Sequence, residues 1–208
     1  DLGGTVSISG MNRFGQTLTA NTSALDFNGD EDGNGTAGTL TYKWYRDSEV
    51  ISGASGSTYV LVAADIGHQI FVEVASSNAK GSIKSGGTSV VQKAACSTAV
   101  SRPTLNATSD TVTVINVTRG HEYAITTEDT QPTSGWNTTG VFTGLNLNTE
   151  YTVYARVAET ETHNASFAVT ETVTTSKLTQ VITVNSANPT VIIGGELDLA
   201  TLCSSNAA

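Results

Sequence analysis

The chain has 208 residues, a length that fits two small β domains and part of a third, and only 14% of them are charged, against about 25% in an average soluble domain. Its net charge of −9 opposes any role that needs a phosphate backbone neutralised, because that work requires clustered Lys and Arg. No run of about 18 apolar residues is present to span a bilayer, and Asp1-Leu2-Gly3-Gly4 lacks the basic and apolar stretches of a secretory leader.

Thr5 to Ser9 and Gln16 to Ala20 alternate apolar with polar residues and read as two short strands joined by a turn. After an acidic, Gly-rich stretch, Thr39 to Arg46 places Leu40, Tyr42 and Trp44 on one face, with Lys43 and Tyr45 on the other. Trp44 is the expected core anchor. Thr58 to Val62 and Gln69 to Ser77 supply further strands, with a single turn expected around Ala63–Gly67 because Gly67 and the flanking β-branched residues disfavour a longer helix. Ser82 to Gln92 is the last strand of this module, and Gly86-Gly87 marks a bulge or bend in it.

Ala94 to Pro103 carries no sustained period and ends at a residue that cannot donate to a ladder, so the boundary is placed there. Beyond it, strands are expected at Thr111 to Ile115, His121 to Thr126, Val141 to Thr143, Glu150 to Ala158 and Ala165 to Thr175. A last piece holds Gln180 to Val184, Val191 to Ile193 and Glu196 to Leu202, too little to bury much surface alone. The expected organisation is all-β: a sandwich over 1–94, a linker over 95–99, a second sandwich over 100–175, and the incomplete start of another β module over 176–208. The chain reads as a piece of a longer polypeptide.

The set Trp44, Tyr59, Asp65 and Gly67 resembles bacterial immunoglobulin-like domains, which carry a core Trp and a Tyr-x-Leu … Asp-x-Gly corner before a hydrophobic strand. Both core cysteines of antibody domains are lacking, with Leu18 near the first position and Phe71 or Val72 near the second. Gly144-Leu145-x-Leu147-x-Thr149-x-Tyr151 resembles the Leu-x-Pro-x-Thr-x-Tyr pattern of fibronectin type III repeats, with Leu147 in place of Pro. That resemblance makes Leu145 a structural residue and Tyr151 the corner tyrosine, its hydroxyl tied to nearby backbone. Together the resemblances imply a modular, multidomain bacterial cell-surface or secreted protein, non-catalytic, whose sandwiches serve as spacers or in adhesion. The alternative they leave open is a glycan-binding accessory of a carbohydrate-active enzyme.

Chemistry has few footholds. Asp30, Asp32, Asn34 and Gly35 stand at positions one, three, five and six of a calcium loop, but Thr41 occupies the twelfth position, where a bidentate Glu is wanted. The stretch therefore reads either as a weak Ca²⁺ site or as a solvated insertion with turn-forming Asn and Gly; no other cofactor is expected. His68, His121 and His163 lie in separate regions, form no metal triad, and are expected at strand ends where they fall in the second module. Trp136, with Tyr45 and Tyr154 on strand faces opposite the core, supplies the candidate rings for stacking against a sugar. Cys96 and Cys203 are expected as free thiols. A protein or glycan ligand at the surface is the expected partner, nucleic acid is not, and self-association through sheet edges is expected to involve residues after Lys177.

Overall fold

The computed structural model describes residues 1–27 and 36–177. Asp1–Ser176 forms one compact unit, within which two hydrophobic cores stand apart, one built from Val6 to Val91 and the other from Val112 to Ala155.

The first core is enclosed by β1 (Gly3–Gly4), β2 (Ser7–Ser9), β3 (Thr17–Asn21), β4 (Leu25–Asp26), β5 (Leu40–Arg46), β6 (Glu49–Val50), β7 (Thr58–Val60), β8 (Ile70–Ser76) and β9 (Ser82–Lys84). One antiparallel sheet has the order β2-β3-β7, the other β6-β5-β8-β9. Period-two alternation decides which side chains meet between them. Leu18 and Ala20 point inward from β3, Trp44 from β5, and Ile70, Val72 and Val74 from β8. The second core is enclosed by β10 (Leu105–Ala107), β11 (Thr111–Val114), β12 (His121–Thr126), β13 (Val141–Thr143), β14 (Glu150–Val157) and β15 (Val169–Thr174). Its sheets are β10-β11-β13 and β12-β14-β15. Two antiparallel sheets that split consecutive strands in this way are the immunoglobulin-like and fibronectin type III-like sandwich arrangement.

The run from Ser82 to Gln92 does not stay one strand. β9 ends at Lys84; Ser85 and Thr88 still donate to the Val72 and Ile70 carbonyls of β8 at 2.8 and 3.0 Å, and the chain then forms isolated parallel bridges, Val91 with Ile66 and Gln92 with Arg13. Gly87 passes close over a side chain of β8. A Cβ on it would lie 2.8 Å from the tip of the Phe71 ring, so any larger residue there would have to displace that ring. Around Gly67, the expected single turn is a 3₁₀ turn over Ala63–Asp65, and Gly67 itself has φ +88°, a conformation that disfavours any residue with a Cβ.

Candidate functional site

The most concentrated polar chemistry in the first sandwich lies at its corner. Asp65 is fully buried, yet its carboxylate accepts from Arg46 Nε at 2.9 Å, the Tyr59 hydroxyl at 2.9 Å and the Val62 N–H at 2.7 Å. Arg46 Nη2 closes a second contact at 2.7 Å. The fork geometry of Arg suits a carboxylate, and the extra donors fill its remaining lone pairs, as a buried charge requires. β5 supplies Arg46, β7 supplies Tyr59 and the 3₁₀ turn supplies Asp65, so three parts of the sandwich are tied at one carboxylate. The Tyr59 ring lies 5.7 Å from Trp44, whose indole N–H donates to the Gly56 carbonyl at 2.8 Å.

Burial, followed by the adjacent Asp65 carboxylate, pushes the Tyr59 hydroxyl from 10.0 up to about 12. A pKa raised by folding stabilises the native state fully below the unfolded value, and that stabilisation is lost as pH rises through the folded one. Urea midpoints of the first sandwich are therefore expected to fall between about pH 10 and pH 12. In Tyr59→Phe this alkaline slope is expected to flatten, and an unchanged slope would show that another group is responsible.

In the second sandwich, two tyrosines perform one task. The Tyr151 hydroxyl accepts from the Asn146 N–H at 3.0 Å, and the Tyr123 hydroxyl accepts from the Thr118 N–H at 2.9 Å. Both rings are buried, and in each pair the donor stands five residues before the tyrosine. Leu145 packs half-buried against the same core, and Thr175 joins the Tyr151 corner by donating to the Asn146 carbonyl at 2.6 Å. Sequence reasoning picked out Tyr151 and passed over Tyr123; the shared spacing to an upstream turn was the signal available.

The candidate rings differ in fate. Trp136 sits half-buried between β12 and β13, its N–H donating to the Pro132 carbonyl at 3.1 Å. One face of its ring lies 3.8 Å from the Arg156 guanidinium, which Glu122 holds at 2.7 Å from the neighbouring strand. Tyr45 donates to Glu73, and the Lys84 ammonium lies 4.0 Å above its ring. Tyr154 departs from expectation: it faces away from the core but is buried, 8% exposed. It belongs to the central strand of its sheet, opposite buried Ala124, and two residues on Arg156 carries Trp136 across the same face. That face is covered, so Tyr154 is no platform for a ligand.

The calcium candidates Asp30, Asp32 and Asn34 lie outside the described residues, as do Cys203 and all residues after Lys177. Among the described residues, no three His, Cys, Asp or Glu gather as metal ligands, and Cys96 is in no disulfide. His121 opens β12 at its expected strand end, whereas His163 falls in the β14–β15 connection, against the first sandwich. No described helix is long and apolar enough to cross a membrane.

No protein-family model matches the sequence, and no curated protein does. Among solved structures, the chain is similar to three N-terminal domains of the bacteriophage RB49 highly immunogenic outer capsid protein, at 17% identity and a TM-score of 0.35; it covers 84% of itself and spans 59% of that structure. It is also similar to a two-domain fibronectin type III segment of chicken tenascin, at 10% identity and a TM-score of 0.39, over 84% of this chain and 99% of that one. A further similarity, at 11% identity and a TM-score of 0.28, is to the FN1–FN3 domains of chicken CNTN1, over 85% of this chain and 68% of that one. The architecture itself rests on the sheet orders given above.

Proposed function

We propose that this chain is a non-catalytic tandem of sandwich modules from an exported bacterial surface protein, serving as a spacer and adhesion unit. The observation that carries this reading is where the buried polar side chains are directed. Asp65 ties a corner of the first sandwich. The Ser85 hydroxyl accepts from the Val72 N–H at 3.0 Å, the Ser166 hydroxyl from the Val157 N–H at 2.9 Å, and the Thr175 hydroxyl from the Thr149 N–H at 3.0 Å. Each of these groups fixes backbone, and backbone fixed by interior hydrogen bonds is what a load-bearing or presenting module needs. Loops on such a scaffold are free to vary and to meet a protein ligand.

The reading is tested on intact cells of the source organism. Antibodies raised against residues 1–177 are expected to label unpermeabilised cells, with the epitope removed by external protease. Labelling only after lysis would end the surface assignment. A glycan array separates the accessory-module alternative: signal above background that disappears in Trp136→Ala would favour it, while background signal agrees with a protein-directed module.

A further inference from the structure

The first sandwich ends in an extended segment that does not stop at its own boundary. Val91 donates to the His68 carbonyl at 2.9 Å and accepts from the Gly67 N–H at 3.0 Å; Gln92 donates to the Asn12 carbonyl at 2.8 Å and accepts from the Phe14 N–H at 2.9 Å. Two residues further, Ala94 repeats the Gln92 pattern with a new partner. Its N–H donates to the Thr162 carbonyl at 2.9 Å, and its carbonyl accepts from the Asn164 N–H at 2.9 Å, making a parallel rung between Ala94 and His163. Backbone groups two residues apart in an extended segment face the same edge. Residues 12–14 of the first sandwich and 162–164 of the second therefore stand in line along one strand edge, and they touch where Phe14 meets His163 edge to face, 5.6 Å between ring centroids.

The Lys93 ammonium reaches the same loop, donating to Glu159 at 2.5 Å and to the Thr160 carbonyl at 2.6 Å. An exposed ion pair contributes little by itself, but this one places a second anchor beside the backbone rung. The receiving loop has its own bracing. Thr160 donates its N–H to the His163 carbonyl at 2.9 Å, the His163 N–H returns to the Thr160 hydroxyl at 3.0 Å, and Ser166 pins the loop to Val157.

We propose that residues 91–94 act as a splint, a strand of the first sandwich continued against the β14–β15 loop of the second, which locks the two sandwiches in one orientation independently of the connecting residues 95–99. This goes beyond the spacer reading and does not depend on where the protein is displayed. A surface location without a fixed orientation, or the reverse, would separate the two.

Distance distributions between nitroxides at Ser48→Cys and Thr143→Cys, in the full chain with Cys96→Ser and Cys203→Ser, test the splint. The parent is expected to give one narrow distance peak. A Gly-Ser-Gly-Ser insertion between Ser97 and Thr98 is expected to leave that peak in place, since the rung lies upstream of it. Ala94→Pro, which removes the donor on the first sandwich, is expected to broaden the distribution at least about twofold, toward that of a flexible linker. Asn164→Pro removes the other hydrogen bond from the opposite side and is expected to do the same. A broad parent distribution, or an insertion that moves or widens the peak as much as Ala94→Pro does, overturns the proposal. Should both proline variants fail to fold, the insertion decides alone.

Discussion

Replacing Asp65 by alanine is expected to destabilise the first sandwich by about 3–5 kcal/mol, the usual cost of stranding one partner of a buried ion pair. The substitution leaves the Arg46 guanidinium, the Tyr59 hydroxyl and the Val62 N–H facing a site from which their shared acceptor has gone. Urea unfolding followed by Trp44 fluorescence, with Trp136→Phe as background, reads this sandwich alone. A loss below about 1 kcal/mol would mean that water or relaxation replaces the carboxylate at little cost. The paired replacement Arg46→Met with Asp65→Leu is expected to recover much of the loss, because removing both charges removes the desolvation penalty along with the attraction. Failure of that rescue would point to geometry, not charge, as what the corner supplies.

Tyr123→Ala is expected to cost the second sandwich about 3–5 kcal/mol, the range for deleting a large buried ring and leaving a cavity. The milder Tyr123→Phe keeps the ring and removes only the acceptor of the Thr118 N–H, for which about 1–2 kcal/mol is expected. Circular dichroism during denaturation, with Trp44 fluorescence as the reporter of the other sandwich, checks both. The first sandwich's transition is expected to stay within about 1 kcal/mol of its parent value, because mutations far apart with no shared partners act nearly independently. A parallel drop in both transitions would show that the two cores unfold as one.

Period-two reading was sufficient where strands are half-buried and regular. β12 and β13 begin and end at the residues expected, and β5 and β8 differ by one residue at their ends. It failed where burial does not follow period. Tyr154 alternates outward correctly, but on this central strand it is buried all the same, and two residues on Arg156 lies against the Trp136 ring, which no local pattern along β14 announces. β10 went unforeseen because Leu105-Asn106-Ala107 is too short and too small to stand out beside Pro103. The corner at Asp65 was legible as a turn, but Arg46, nineteen residues upstream, was not, since its partner is set by the pairing of β5 with β8. Least legible was the Ala94 rung. A single bridge between modules leaves no periodicity, so the segment that carries it reads as a boundary in the sequence.

Leu18 and Val72, both wholly buried, share the first core with Trp44, and residues 1–94 contain no cysteine, so the two sheets are held by apolar contact and by the polar tie at Asp65, with no covalent cross-link. An interior closed in this way has no covalent tether to break before the chain extends and none to re-form before it closes again. Its final state is the same under reducing or oxidising conditions.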